Sequence, residues 1–407
     1  MKPSLDFILS KLTRVTSSGL FIPEIDGLRF FAIAFVIAHH INGYLLVKSP
    51  LNFPGRVEDG ILYNIANKGW YGVELFFVIS GCILSLPFAA TILEGRTQPS
   101  LKNYFSRRLQ RLEPPYIINL VFLFIVLIVL NGKSASSLLP HFFASATYLH
   151  NIIYQDGSTI NYVAWSLEVE IQFYLLAPLL AQVFRVRNRV IRISTFILLP
   201  VLIGLISYQL GILSRLNILG NIQYFILGFI LTDILLVNKI RAKRQTYYWD
   251  IVAPIAATVI ILILCTRDYA EYVKKDFLPL TYLLPYLLLA CCLAAFRGRI
   301  WNKIVTNKWL VTIGGMCYTI YLYHFAIIPF FGRIFIKLSL TQSYEVNLLL
   351  QWLLYFPTIF LICAVLFILF EKPFMRKNWA SHWRNLIPIF QSAPKQALSQ
   401  SADINPG

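Results

Sequence analysis

The sequence predicts an all-α polytopic membrane protein with about ten transmembrane helices and both termini in the cytoplasm. Three observations carry this expectation. First, 57% of the 407 residues are hydrophobic and only 14% are charged, with a mean hydropathy of +0.64. A soluble chain carries about 25% charged residues. Second, ten apolar segments are long enough to span a bilayer at about 20 residues each. They run roughly over 28–46, 70–92, 112–131, 163–183, 193–212, 218–237, 249–266, 278–296, 310–332 and 347–370. Third, with the N-terminus inside, 26 of the 36 Lys and Arg residues fall in inside segments and 10 in outside loops, the asymmetry that orients membrane proteins. The net charge of +17 is thereby assigned to loops facing the membrane surface. A lipid bilayer is the expected environment and no nucleic acid is expected as a partner.

Residues 1–22 read as a cytoplasmic or interfacial segment. Leu5, Ile8, Leu12 and Val15 recur at helical spacing with Lys11 and Arg14 between them, the pattern of a short helix lying on a membrane surface. An unstructured leader is the alternative, and a cleaved signal peptide is not expected. Residues 23–375 form the transmembrane domain. After Glu371-Lys372-Pro373 the chain turns polar, and 376–407 reads as a disordered cytoplasmic tail. The six cysteines lie inside or at the edges of apolar runs, with no CxxC pair and no Cys–His ligand spacing, so neither a disulfide framework nor a metal site is expected.

The first span, PEIDGLRFFAIAFVIAHHIN, opens with Glu24, Asp26 and Arg29 and ends on His39 and His40. Arg29 and His40 are eleven residues apart, so on a helix they share a face and stand roughly 16 Å apart. A titratable ring at that depth costs on the order of 3 kcal/mol unless it faces a protein interior or a wet cavity, which makes a functional site the default reading. The bland alternative is a satisfied core histidine beside a snorkelling arginine.

The second span contains GVELFFVISG, with Glu74 near its outer end and Ser80 about two turns deeper. Close packing through Gly72, Ser80 and Gly81, with Glu74 as an interfacial charge, is an equally simple account. In the following loop, Arg108 and Arg111 project to one side of a helix. Their guanidinium forks suit phosphate oxygens, although a positive-inside anchor explains a bare RRxxR as well. The fourth span begins WSLEVEIQFY. Glu170 shares a face with Ser166 and Tyr174, and Glu168 shares one with Gln172; a salt bridge to another helix is the structural alternative for either acid. The ninth span, GGMCYTIYLYH, supplies His324 with Tyr321 one turn before it and Tyr318 on a different face. His141, His150 and His382 receive no chemical role.

Taken in order, these stretches resemble the acyltransferase family 3 membrane proteins, which O-acylate exported glycans. The resemblance covers most of the chain: EIDGLR and His40, GVELFFVISG, the Arg-rich loop, WSLEVEIQFY, GGMCYTIYLYH and a closing Glu-Lys-Pro. It implies that His40 rather than His39 is the catalytic histidine, that Glu170 is the motif glutamate, and that Arg29, Arg108 and Arg111 meet the donor. Asp26, Glu74, Ser166, Tyr318 and His324 are implied in support. Cys317, where serine is usual, and the bulky Phe30-Phe31 pair depart from the family pattern. Some larger relatives append an esterase-like soluble domain, and none is expected here.

The resemblance implies a cytoplasmic acyl-CoA co-substrate, no bound cofactor, a bacterial cytoplasmic membrane, and a glycan or glycolipid acceptor. In that scheme His40 serves as general base, Glu170 could orient it, and an acyl-histidine intermediate is an alternative route. The acyl group, the acceptor and the oligomeric state stay open. The rival class is a transporter of a lipid-linked sugar or small anion, which buried midplane charges would also suit. Its inverted repeat is absent: the charged spans are the first, second, fourth and ninth, without pairing.

Overall fold

The structure is a computed structural model that describes residues 5–15, 21–50, 53, 57–239, 244–265 and 279–375. Its order is α1 (Leu5–Leu12), α2 (Pro23–Lys48), α3 (Ile61–Asn67), α4 (Gly72–Glu94), α5 (Leu101–Val129), α6 (Ala135–Ala146), α7 (His150–Tyr154), α8 (Trp165–Leu180), α9 (Arg189–Gln209) and α10 (Ile222–Val237). There follow α11 (Tyr248–Cys265), α12 (Pro279–Arg297), α13 (Arg299–Val305), α14 (Lys308–Gly315), α15 (Cys317–Phe335) and α16 (Tyr344–Leu366). No strand occurs among the described residues, only one isolated bridge between Thr246 and Gly298. The expected tail at 376–407 lies outside the described residues, as do the side chains of Leu5 and Ile8.

Eight helical stretches among the described residues are long and apolar enough to cross a membrane, and two shorter apolar helices, Ile222–Val237 and Leu283–Arg297, fall on two further predicted segments. The chain is thus an all-α polytopic membrane protein. Its outward face carries Leu175, Leu179, Leu198, Phe330, Leu353 and Leu361, each more than 60% exposed. Such a surface suits hydrocarbon, where a helix also satisfies its own backbone.

Local sequence sets the helix ends. Pro23 opens α2 with Glu24 and Asp26 in its first turn, the preferred place for a residue without an N–H and for negative charge. The side chains of Asn188, Asn307 and Ser343 cap α9, α14 and α16, satisfying N–H groups that the helix leaves open. Gly95 stops α4 at φ +69°, a left-handed conformation that glycine adopts without penalty.

The core forms around α4 and α10. Of the 16 residues of α10, 12 are buried, which explains why this helix is apolar on all sides. Gly81 and Gly228 let the two backbones touch: a Cβ at Gly81 would lie 2.0 Å from the carbonyl oxygen of Phe225. Phe173 then stacks on Phe225 at 4.1 Å between centroids, and Phe77 stacks on it at 4.6 Å. The buried Asp233 of α10 is held by Arg189 at 2.9 Å and Arg192 at 2.6 Å, so an acid inside this helix is paired, as burial requires. Against this core α2, α4, α8 and α15 stand side by side, and their facing sides carry the polar residues described next.

Candidate functional site

Chain direction fixes the depth of each group. α2 and α15 run one way through the bundle, while α4 and α8 run the other. At one end, called here the arginine end, Asp26 is fully buried and splits its carboxylate. Oδ1 accepts from Arg29 at 2.8 Å and Oδ2 accepts from Arg14 at 2.7 Å. A Cβ at Gly314 would stand 1.8 Å from the Asp26 carbonyl oxygen, so α14 crosses α2 in direct backbone contact at this point. Nearby, Glu371 is fully buried and accepts from the backbone N–H of Thr319 at 3.1 Å and its hydroxyl at 2.5 Å. Arg111 faces Glu371 at 3.9 Å, and the hydroxyl of Tyr318 donates to the Leu112 carbonyl at 2.8 Å.

One turn before Arg111, Arg108 lies over the rings of Tyr104 at 4.9 Å and Tyr174 at 5.2 Å. Tyr174 in turn donates its hydroxyl to Glu170 at 2.8 Å, and the Ser80 hydroxyl donates to the same Glu170 oxygen. Glu170 is therefore held by Tyr174 and Ser80. Among the described residues it makes no hydrogen bond with His40, and the orienting partnership expected from sequence is not formed. Glu168, which points the other way, is fully buried and accepts from the Asn151 N–H at 2.8 Å. It ties the α7 segment to α8, which is a structural task.

Deeper along α15, the Tyr321 hydroxyl donates to the Val163 carbonyl at 2.8 Å and meets the Ser166 hydroxyl at 2.6 Å. His324 is fully buried. Its Nδ1 stands 2.9 Å from the Tyr321 carbonyl and 3.1 Å from that of Ile320. Carbonyls only accept, which assigns the proton to Nδ1. Its Nε2 is buried without a hydrogen-bond partner among the described residues. His40 is half-buried beside it, with ring centroids 5.2 Å apart, and Phe325 closes the other side at 4.9 Å. On the other side of His40 the His39 ring also stands at 5.2 Å between centroids, edge to face, and lies against the Ala66–Asn67 backbone.

At the far end Glu74 is 3% exposed and lies 4.0 Å from Arg215, whose guanidinium is sandwiched over Trp165 at 4.5 Å and Trp70 at 4.9 Å. The sequence leaves Glu74 as either an interfacial charge or a supporting site residue; it is buried with a cation beside it. Arg215 and Arg14 carry no motif that would mark them as site groups in the sequence, and nothing there pairs Arg111 with Glu371. The signal available for Arg215 was its solitude, as the one Lys or Arg in the stretch 193–237 beyond the α9 start.

The structure therefore brings His40, His324, Tyr321 and Ser166 together in the middle of the bundle. Ser80, Glu170, Tyr174 and Arg108 line the way toward the arginine end, where Asp26 and Arg29 stand with Arg111. These polar groups follow one another through an apolar bundle, with Arg29 and Arg111 toward one end, the imidazoles in the middle and the Arg215–Glu74 pair at the far end. Among the described residues no group of three or more His, Cys, Asp or Glu side chains is arranged to hold a metal ion.

The chain is similar in sequence to proteins named O-acetyltransferases. The chain is 26% identical over 342 residues to O-acetyltransferase OatA of Staphylococcus aureus (strain NCTC 8325 / PS 47), covering 79% of this chain and 53% of that protein. It is 26% identical over 398 residues to peptidoglycan O-acetyltransferase OatA of Listeria monocytogenes (serovar 1/2a, strain EGD-e), covering 90% of this chain and 58% of that protein. The chain thus spans little more than half the length of these relatives. No solved structure matches it. The acyltransferase family 3 model, described as an acyltransferase domain, matches residues 22–368, which takes in Asp26, Arg29, His40, Arg111, Glu170 and His324, and the chain belongs to this family.

Proposed function

We propose that this protein is an O-acyltransferase that moves a short acyl group, acetyl first among candidates, from acyl-CoA to a hydroxyl of an exported glycan. The observation that carries the reading is the His40–His324 pair, 5.2 Å apart, inside a bundle of a family named for acyl transfer. The relatives' names make peptidoglycan the first acceptor to test. Lipid-linked and capsular glycans follow. The membrane is the bacterial cytoplasmic membrane, with both termini and the arginine end inside.

In this mechanism the donor enters at the arginine end. Arg108 and Arg111 take its phosphates, with Arg29 beside them, because planar guanidinium forks bind phosphate oxygens in pairs. The pantetheine arm extends past Glu170 and Tyr174 and presents the thioester near His40. Neutral His40 accepts the proton of the acceptor hydroxyl as that oxygen attacks the thioester carbonyl. The tetrahedral intermediate then expels the thiolate, which takes the proton back from the imidazolium, leaving ester, thiol and neutral His40. Glu170 supports this path by fixing Ser80 and Tyr174, and His324 by packing and orienting the ring of His40. No bound cofactor enters the scheme.

The test is thiol release from acetyl-CoA by the purified protein in nanodiscs, with a panel of glycans, for wild type and His40→Ala. Release that depends on His40 supports enzyme and base together. Release that persists in His40→Ala removes the base. No release and no binding of any acyl-CoA removes the enzyme reading.

A further inference from the structure

Arg14 has no place in the mechanism above. It precedes the first spanning helix, outside the Arg29–His40 and Arg108–Arg111 elements. Yet its side chain is only 11% exposed, and its Nε donates to the fully buried Asp26 at 2.7 Å. The segment that delivers it is anchored: Lys372 Nζ donates to the carbonyls of Ser10 at 3.2 Å and Lys11 at 2.5 Å. The Arg14 stem then runs past Gly315, bringing the N-terminal segment to the point where α2 and α14 cross.

Three guanidinium groups crowd this point. Arg14 and Arg29 share the one carboxylate of Asp26, Arg111 faces Glu371, and the charge of Glu170 also acts on Arg29. Asp26 therefore holds two guanidinium groups at once, and each keeps donors that Asp26 does not take. The Arg111–Glu371 contact is long at 3.9 Å, and Arg111 Nε is buried without a hydrogen-bond partner among the described residues. Arg14 uses Nε for Asp26, and among the described residues its two terminal amino groups make no hydrogen bond. Largely buried guanidinium groups with donors to spare are stabilised by an anion that can take several of them at once, as a phosphate does.

We infer that Arg14 is a phosphate-binding residue of the donor site, delivered by the N-terminal segment and held beside Arg29 by the shared carboxylate of Asp26. The inference rests on the acyl-CoA reading and deepens it: the donor pocket is completed by residues ahead of the transmembrane domain. A phosphate could also come from an anionic lipid headgroup at the same membrane surface, and the experiment separates the two.

Wild type, Arg14→Gln and Arg14→Lys are placed in nanodiscs of zwitterionic phosphatidylcholine. Coenzyme A binding is measured by calorimetry, and turnover with acetyl-CoA and with phosphate-free S-acetyl-pantetheine. Arg14→Gln is expected to weaken coenzyme A binding and raise KM for acetyl-CoA about tenfold, the effect of one charge-assisted hydrogen bond. kcat and turnover of S-acetyl-pantetheine should stay near wild type. Arg14→Lys, which keeps the charge and loses the fork, should fall between and serves if the glutamine variant does not fold. Equal losses with both donors would mean that Arg14 only supports the fold, and the inference fails. Unchanged coenzyme A binding also overturns it. If that result comes with a loss of thermal stabilisation by phosphatidylglycerol, the anion is a lipid headgroup. Wild type that neither binds coenzyme A nor turns over acetyl-CoA overturns the donor reading itself, a different result from wild-type binding that Arg14→Gln leaves intact.

Discussion

His40 and His324 stand with ring centroids 5.2 Å apart at an angle of 43°, while His39, whose ring meets His40 from the other side at 5.2 Å and 64°, lies against the Ala66–Asn67 backbone. Successive residues on a helix differ by about 100° in direction. Of His40 and His39, the first therefore faces His324 and the second packs against the α3 segment.

This difference predicts opposite results for two similar substitutions. His40→Ala should lower transfer by about 10²-fold or more, the usual contribution of a general base, with the protein still inserted and monodisperse. His39→Ala should keep most of the activity, its cost falling on packing. Thiol release by the two variants, normalised to folded protein, decides the matter; loss in His39→Ala with retention in His40→Ala would reverse the assignment.

Glu170 predicts a graded series. Its Oε1 accepts from both the Ser80 and Tyr174 hydroxyls. Glu170→Gln replaces a charged acceptor by a neutral one and should lower turnover more than Ser80→Ala or Tyr174→Phe, each of which removes one of two donors. A hydrogen bond to a charged group is worth about 1.5–3 kcal/mol, so the single-donor variants should also lose thermal stability measurably. If Glu170→Gln matches wild type in rate, the carboxylate has no part in the path.

How much of this was legible in the sequence depends on the range of the interaction. Spans follow from local hydropathy, and eight of the ten expected segments stand as long apolar helices, with two shorter ones beside them. The shared face of Arg29 and His40 follows from helix periodicity alone. Pairings between distant parts of the chain do not. Arg14 with Asp26, Arg111 with Glu371, and Arg215 with Glu74 each join separate elements, and nothing in the order of residues encodes those distances. The same limit explains Glu170: its helical neighbour Tyr174 was visible at i+4, but Ser80, not His40, comes from the facing helix.

The outer segment predicts a pH effect. His150 is 1% exposed; its Nε2 meets His141 Nδ1 at 2.9 Å, and its Nδ1 faces the Asp156 carbonyl at 3.2 Å. Burial pushes the His150 imidazole below its ordinary range, the Asp156 carbonyl pulls it back, and the His141 ring pushes it down again. A histidine lowered in the folded state binds its proton more readily when unfolded. Its contribution to stability is then complete above about pH 6.5 and is lost as pH falls through the lower folded value. Thermal stability should therefore decline on acidification below about pH 6.5, and His150→Phe should flatten that decline. An acid limb identical in wild type and variant would place the titrating group elsewhere.

The helix crossing at Gly81 gives the last prediction. A Cβ there would meet the Phe225 carbonyl oxygen at 2.0 Å and its carbonyl carbon at 2.8 Å. Both are backbone atoms, so no side-chain rotation relieves the clash, and α4 and α10 must separate. Alanine normally favours a helix over glycine by about 1 kcal/mol, but forced separation of packed backbones costs about 1–3 kcal/mol and strips contacts from the aromatic stack on Phe225. Gly43, on α2, has nothing within 4 Å of its virtual Cβ and serves as the control. Gly81→Ala should lower the apparent melting temperature in detergent, and Gly43→Ala should leave it unchanged or raise it. Because Ser80 precedes Gly81 and donates to Glu170, Gly81→Ala should also reduce turnover at temperatures where the protein remains folded. A variant with wild-type melting would mean that α4 and α10 do not pack through this glycine.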